Sequence, residues 1–491
     1  MIEVNFYTNA QEFENEYLDI VRAFYPHVKI DESADTLELN LEKSSEYEFH
    51  AKISFKDKAK EYRYLLEKEF LEENDCDCRQ IKYKAQVKRH SKAALYKFLS
   101  EITGEKLPYG SLTGIRPTKL FHETVEKGID AEKYFLEVLD VSRQKVSLIK
   151  NIVENQKIYY KVAENEVDIF VNIPICVSRC VYCSFISAQL DKIKKFVSPY
   201  CDLLVKEIQG SKEIVKENNL KVRSVYIGGG TPTSLDDENF QRVIRACSVF
   251  DVKEFTVEAG RPDTITREKL DIMSKYGVTR ISINPQTFNQ RTLDAIGRSH
   301  SVEEIYSVFK MARDYDFDIN MDLIAMLPGE NVDDFKYSVD CAISLQPENI
   351  TVHTLAIKKG SALKIDGYEN GEWEKAVAMV DYAYKSVKSA GYEPYYMYKQ
   401  KYMSGNLENV GYCKKGKACV YNIDIMEEIS SIIANGAGGI SKRIFDKNRL
   451  ERLADPKGID VYIQRDKALI DVKKKFFEQC SKLEIKRFAL K

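Results

Sequence analysis

No apolar run in this 491-residue chain reaches the ~18 residues that a membrane helix needs, so a helical membrane span is not expected. Neither charge sign dominates. Lys plus Arg number 74 against 76 Asp plus Glu, which leaves no broad field of the kind that gathers nucleic acid. The first twenty residues are acidic and lack a signal-peptide pattern, so a cytoplasmic protein is predicted. Heptads, low-complexity tracts and short-period repeats are missing as well. Eleven cysteines, an odd number scattered over a long chain, do not make a disulfide framework.

What is present centres on Cys176-Val177-Ser178-Arg179-Cys180-Val181-Tyr182-Cys183, three thiols spaced C-x3-C-x2-C. An apolar run from Val167 to Ile173 precedes them and Pro174 ends it, so the thiols sit on a loop past a strand's carboxyl end. Thiolates select soft metals. Structural zinc wants four ligands, and no fourth Cys or His follows nearby. A 4Fe–4S cube on three cysteines leaves one iron open. Zinc with a distant fourth ligand, or unrelated thiols, are the other readings of the loop. Cys201, Cys247, Cys341 and Cys480 read as core residues, Cys76 and Cys78 as an exposed polar turn. Cys413 and Cys419 are a second candidate metal pair.

The length suits two or three domains. Residues 1–165 predict an N-terminal α+β domain, with strands at 3–7, 36–41 and 80–86 and helices at 10–24, 56–73, 92–103 and 132–162. Within it, the Gly/Pro-punctuated segment from Leu107 to Lys119 reads either as a solvated interhelix loop or as one that reaches a substrate carboxylate or cofactor through Arg116 and Lys119. Residues 166–390 alternate apolar strands (168–173, 224–227, 255–257, 280–283, 320–325, 349–355) with amphipathic helices (194–217, 237–249, 267–275, 302–314, 332–345, 374–390). That alternation predicts an α/β class, with right-handed βα units curved into a partial (β/α)6 barrel. Residues 391–491 lose the repeat and are expected to form a mostly helical C-terminal region.

The second strand ends in Gly228-Gly229-Gly230-Thr231-Pro232-Thr233, where glycines let a ligand approach the backbone. Polar residues close later strands: Glu258, then Gln286 with Arg298 twelve residues on, then Asp322 before Leu327-Pro328-Gly329. Carboxylates suit ribose hydroxyls, and an Arg suits a carboxylate.

With these residues in hand the chain resembles the radical S-adenosylmethionine (SAM) enzymes. Gly-Gly-Gly-Thr-Pro-Thr, the Gln286-to-Arg298 spacing and Gly297-Arg298-Ser299-His300 resemble one branch, the oxygen-independent coproporphyrinogen III oxidase (dehydrogenase) group of HemN, HemW and HemZ. The Arg116 stretch and Ser282-Ile283-Asn284-Pro285-Gln286 resemble HemZ-type members. The resemblance implies a radical SAM barrel with a 4Fe–4S cluster on Cys176, Cys180 and Cys183. It implies SAM held by Phe170, Tyr182, Gly229, Gly230, Thr231, Glu258, Gln286, Arg298, Asp322, Ala356 and Ile440. It also implies oxidative decarboxylation of two coproporphyrinogen III propionates in heme biosynthesis, and an electron donor such as flavodoxin or ferredoxin. For the tetra-anionic tetrapyrrole, Arg116, Lys119, Lys399 and Lys401 are the cations predicted to meet propionates, and Tyr395, Tyr396 and Tyr398 the flat walls. Three positions depart from HemN-type oxidases: Phe170 replaces a Tyr, Asn172 a His and Phe185 a Cys. The last change is shared with the heme-handling branch, so a heme chaperone, or an enzyme acting on heme itself, is the rival expectation.

Overall fold

The structure is a computed structural model. It describes residues 3–25, 29–30, 33–71, 76–114, 116–185, 187–358, 360–368, 373–400, 403, 406–446 and 449–478. Two sheets organise them. The N-terminal sheet has order β2-β1-β3-β4-β5, from β1 (Glu3–Thr8), β2 (Lys29–Ile30), β3 (Thr36–Ser45), β4 (Glu48–Phe55) and β5 (Lys58–Leu65). Helices α1 (Glu14–Phe24), α2 (Lys68–Leu71) and α3 (Cys76–Thr103) accompany it, and its core draws on residues 4–107. Helices α4 (Pro117–Glu126), α5 (Ala131–Lys133) and α6 (Arg143–Gln156) join the larger core instead.

Here local expectation meets tertiary override. Residues 58–65 form β5 rather than a helix, because they zip antiparallel along β4 over eight residue pairs. Residues 80–86 lie inside α3 rather than in a strand, and Gln86 is buried where it bonds the Glu67 backbone in both directions. The expected long helix at 132–162 breaks after a π turn at Tyr134–Val138, and Ser142 caps a fresh start at α6. The side chains of Cys76 and Cys78 lie outside the described residues, as does Cys480.

The second sheet has eleven strands, in order β14-β15-β13-β12-β11-β10-β9-β6-β16-β17-β18. Its centre is the six-strand parallel array β6 (Glu166–Ile173), β9 (Lys221–Gly229), β10 (Glu254–Gly260), β11 (Arg280–Ile283), β12 (Asp318–Ala325) and β13 (Asn349–Thr354). A two-stranded parallel pair, β7 (Ile175–Cys176) and β8 (Ala188–Gln189), follows β6. The connecting helices are α7 (Leu190–Glu217), α8 (Asp237–Cys247), α9 (Arg267–Lys275), α10 (Gln290–Ala295), α11 (Val302–Ala312), α12 (Val332–Leu345), α13 (Ala362–Ile365) and α14 (Trp373–Ser389). All six predicted central strands form, and they pair in sequence order because each helix returns the chain to the growing edge.

The C-terminal region is not mostly helical. It supplies β14 (Glu393–Tyr398), β15 (Asn409–Cys413), β16 (Ser431–Asn435), β17 (Ile440–Asp446) and β18 (Arg449–Ala454), with shorter helices α15 (Val420–Glu427), α16 (Ile459–Ile463) and α17 (Asp466–Phe477). The reason is burial. Pro394 to Met397 and Ile432 to Asn435 are buried runs that complete the large sheet at opposite edges.

The sheet curls. β14 and β6 are seven strands apart, roughly 33 Å if flat, whereas α15 is about 12 Å long. Yet α15 reaches both. Its Tyr421 ring stacks on Phe170 of β6 with centroids 5.9 Å apart, and its Asn422 donates to the Tyr395 hydroxyl of β14 at 3.1 Å. Between them, Glu254 of β10 accepts the first amides of α15 from Val420 (2.8 Å) and Tyr421 (3.1 Å), while Arg223 of β9 grips Asp424 at 2.6 Å. One short helix therefore lies against the inner surface of the curled sheet. Burial pushes Asp168 up to about 6 and Asp424 well above the usual carboxylate range, two acids that share the Arg223 charge.

Among the described residues, no helix is long and apolar enough to cross a membrane.

Candidate functional site

The carboxyl ends of the central strands gather the predicted residues. The cysteine loop is pinned where Ile175–Cys176 pairs with Ala188–Gln189. It is also tied to later strand ends: Val181 donates to the Ile296 carbonyl (3.1 Å), Arg179 to the Gly360 carbonyl (2.7 Å), and Leu363 back to the Val181 carbonyl (3.1 Å). Ser178 receives the Arg261 guanidinium at 2.6 Å, and Arg261 is itself forked onto Asp263. Against the cost of burial, the nearby His300 imidazole and this bidentate guanidinium hold the Asp263 carboxyl well below its usual range. Cys176, Cys180 and Cys183 are free and half-buried. Burial raises the Cys176 and Cys183 thiols, so binding metal there releases protons. Among the described residues, no three His, Cys, Asp or Glu side chains surround a point fit for one metal ion. An iron–sulfur cube spreads its thiolates over separate irons, so it asks for a looser trio.

The glycine run lies directly against this loop. A Cβ on Gly230 would stand 2.5 Å from the Ile175 carbonyl oxygen, and one on Gly228 would stand 2.6 Å from Glu258 Oε2. Gly229 takes φ +104°, a conformation that favours glycine. The Thr231 hydroxyl points to Cys176 Sγ at 3.6 Å, so the glycine motif and the first thiol are neighbours. Glu258 accepts from the Tyr226 hydroxyl at 2.5 Å and from the Gly229 amide at 3.3 Å. Burial raises its carboxyl.

Gln286 sits at φ +69° between β11 and β12; its amide donates to the Asp322 carbonyl at 2.9 Å and its carbonyl accepts from Ile324 at 2.9 Å. A non-glycine residue held in that region is strained, and such strain collects at working sites. Arg298 donates to the Asn284 carbonyl at 2.6 Å and reaches the Tyr182 hydroxyl at 3.4 Å. Three buried polar atoms here lack a partner: Gln286 Oε1, Asn284 Oδ1 and Arg298 Nε. Buried polar atoms are seldom left so. Asp322 accepts from Asn320 at 2.8 Å and stands 3.7 Å from His353, whose other nitrogen meets the Tyr398 hydroxyl at 3.2 Å. Burial alone would raise Asp322, but His353 and its hydrogen bonds bring it below its usual value. Ala356 bridges Met403 beyond β13, and Ile440 opens β17, partly exposed.

Several residues of this end carry no sequence signal. Asn172 donates to the Ala437 carbonyl at 2.5 Å, locking the Gly436–Gly439 turn before Ile440. Glu207 takes the Gly436 amide at 2.6 Å and the Tyr462 hydroxyl at 2.5 Å. Lys473, buried in α17, pairs with Glu207 and with Asp455 at 2.8 Å. Apart from Lys473 with Asp455, these partners lie more than two hundred residues apart, so no local pattern announces them.

Other predicted residues do not join the site. Arg116 and Lys119 ion-pair with Glu428 at 2.7 and 3.0 Å, just ahead of β16. Ser431 is level with Val167 at the start of β6, so this pair lies roughly 25 Å from the cysteine loop. Lys399 is buried, donates to the Leu112 carbonyl at 2.8 Å and lies over the Tyr109 ring. Burial lowers its amine well below the usual lysine range, so it is an interior donor and not an open cation. Tyr395 and Tyr396 are buried against α15 and β15 rather than facing a cavity; Tyr398 alone reaches the His353–Asp322 pair. Lys401 lies outside the described residues. Cys413 and Cys419 are buried free thiols, and Cys419 donates to Glu254 instead of holding metal.

Comparison with known proteins gives the family of the chain. The Radical SAM superfamily profile matches residues 172–342. The oxygen-independent coproporphyrinogen-III oxidase-like protein HemZ of Bacillus subtilis is 40% identical over 80% of this chain and 82% of its own length. The heme chaperone HemW of the same organism is 34% identical over 38% of this chain and 50% of its own length. The solved coproporphyrinogen III oxidase HemN of Escherichia coli covers 76% of this chain and 78% of its own, at 18% identity and a TM-score of 0.48. With 40% identity across four-fifths of both chains, this protein belongs to the radical SAM superfamily, in the HemN/HemW/HemZ group.

Proposed function

We propose that this chain is an oxygen-independent coproporphyrinogen III oxidase, converting two propionates to vinyl groups to give protoporphyrinogen IX, with the curled six-strand array as its partial (β/α)6 barrel. Membership of the superfamily implies a 4Fe–4S cluster and SAM. When bound, these two supply a 5′-deoxyadenosyl radical that takes hydrogen from a substrate carbon. Cys176, Cys180 and Cys183 are the thiolates for the cluster. The observation that carries the reading is the trio of partnerless buried atoms, Gln286 Oε1, Asn284 Oδ1 and Arg298 Nε, beside a glycine turn that abuts Cys176. A polar ligand with donors and acceptors satisfies such atoms, as the amino acid and ribose of SAM do.

The protein's own contributions follow. Glu258, charged once its proton is lost, accepts ribose hydroxyls. Arg298 offers the methionine carboxylate a guanidinium. Gly229 and Gly230 leave backbone room for the amino group. Phe170, Tyr226 and Tyr421 stack into a wall beneath the site and exclude water. For a substrate propionate the supporting cation is Lys358. It is half-buried two residues past Ala356, and burial lowers its amine with no carboxylate paired to it among the described residues. A low-potential carrier such as flavodoxin or ferredoxin would supply the cluster's electron, and each propionate, having given up its hydrogen, would release CO2 and pass one electron to an acceptor to leave the vinyl group.

A heme chaperone is the second reading, favoured by Phe185, which stands exposed beside the cysteine loop. One anaerobic assay of the reconstituted protein with SAM, a reductant and either coproporphyrinogen III or heme decides. Vinyl product supports the oxidase. Tight heme with no turnover sinks it in favour of the chaperone, and consumed heme in favour of degradation.

A further inference from the structure

The stretch around Arg116 does not serve the SAM end, yet it builds something of its own. Glu428 closes α15 in the left-handed region, at φ 53° and ψ 53°. Four cations converge on its carboxylate: Arg116 at 2.7 Å, Lys119 at 3.0 Å, Arg452 at 3.1 Å and Lys442 at 3.9 Å. They come from the start of α4 (its N-cap and first turn), from β18 and from β17, so three separate elements of the fold are aimed at one point. The nearby Glu427 balances them only in part. It faces inward, accepting from Thr118 at 2.6 Å and Gln156 at 3.0 Å, and burial raises it to about 7. Glu451 of β18 is taken by Arg449.

Among the described residues, Glu428 is the one carboxylate ion-paired to these four cations, so positive charge is in excess here. Arg116 Nε is also buried without a partner. Arg452 is about half exposed, and Arg116 and Lys119 about a quarter, so the cluster opens to solvent. Burial and the neighbouring cations pull the Lys442 amine down to about 8, against the Glu428 charge. In addition α4 starts here with Pro117 at its first position and no side-chain cap, so its first-turn amides face the same region.

We propose that Arg116, Lys119, Lys442 and Arg452 form a binding site for a phosphate-bearing small anion of two or more charges, at the end of the sheet opposite the cysteine loop. The chemistry selects the ligand. A planar carboxylate takes one or two donors in its plane, as Glu428 already does. A tetrahedral phosphoryl group accepts from several directions, and guanidinium forks, ammonium charges and helix amides are the donors it uses. Two or three negative charges match the excess. The proposal is independent of which tetrapyrrole is processed.

Titration calorimetry on the full reconstituted chain tests it, with inorganic pyrophosphate, inorganic phosphate and citrate as probes. Saturable binding of one pyrophosphate per chain is expected, weaker for phosphate, and weakening as salt rises. Lys442→Gln with Arg452→Gln lowers pyrophosphate affinity at least about tenfold. Arg452→Gln alone, an exposed change, lowers it about threefold. Both variants keep the parent iron content and melting behaviour. The proposal is overturned if pyrophosphate does not saturate, if the folded variants bind it as tightly as the parent, or if citrate binds as well as pyrophosphate.

Discussion

Adding one methyl group at residue 230 tests the central geometry. In Gly230→Ala the new carbon would stand 2.5 Å from the Ile175 carbonyl oxygen, 2.7 Å from the Ile175 nitrogen and 2.8 Å from the Ile173 oxygen. Each is about 0.6 Å or more short of an ordinary carbon–oxygen contact. All three are backbone atoms, so no rotamer relieves the clash. Gly230 donates to the Ile173 carbonyl and Thr231 to the Ile175 carbonyl, both at 2.8 Å, and these bonds stitch the glycine run to the strand feeding Cys176. Relief means separating the two segments. Overpacking costs about 1–3 kcal/mol, and weakening two hydrogen bonds adds roughly 1 kcal/mol each. A local cost of about 3–5 kcal/mol corresponds to two to three decades or more in SAM affinity. The control is Gly277→Ala, at φ +78° with no heavy atom within 4 Å of the added carbon. It carries only backbone strain, about 1 kcal/mol. The assay is iron and sulfide per chain after anaerobic reconstitution, then SAM binding. The expected outcome is loss of SAM binding in Gly230→Ala and retention in Gly277→Ala. Parent-level cluster content and SAM affinity in Gly230→Ala would refute the close approach on which the site rests.

Three further outcomes are expected. Tyr226→Phe removes the hydroxyl that donates to Glu258, so the already raised carboxyl rises further, and the pH at which SAM affinity reaches its plateau moves upward; an unmoved binding profile contradicts the assigned role of Glu258. Lys358→Met raises KM for coproporphyrinogen III about tenfold, with a smaller change in kcat, the signature of a lost ground-state charge contact; a parent KM removes Lys358 from the substrate site. Glu427, raised to about 7 when folded, binds its proton more tightly in the native chain than in the unfolded one, so its protonation favours folding at low pH and that support is lost as pH climbs from about 4.5 to 7. Glu427→Gln is therefore expected to flatten the fall in urea midpoint between pH 5 and pH 8, by on the order of 3 kcal/mol in stability, and an unchanged slope argues against a buried proton there.

Chemistry written in short runs was legible in the sequence. The three cysteines, the glycine run, Glu258, Gln286 with Arg298, and Asp322 each lie in or just past a strand whose apolar pattern is strong, and the parallel order sets these strands side by side. Contacts set by distant partners were not legible. Residues 58–65 read as helical until β4 claimed them, and 391–454 lost the βα rhythm although they supply five strands to the large sheet. Arg116 was read as reaching for a substrate carboxylate, whereas its partner in the fold is Glu428, more than three hundred residues away. His353, Glu207 and Lys473 had no local motif to mark them, because their meaning is the partner opposite.

The strands from residue 393 onward flank the six-strand array on both sides, β15 and β14 beyond β13, and β16 to β18 beyond β6. A shortened version ending near residue 390, the obvious choice for a minimal core, would therefore carry two raw borders of unsatisfied amides and carbonyls at once. Such a fragment would also lack α15, the peg about which the curl is wound. It is expected to stick to itself on expression, and whatever iron it holds would say little about the intact protein.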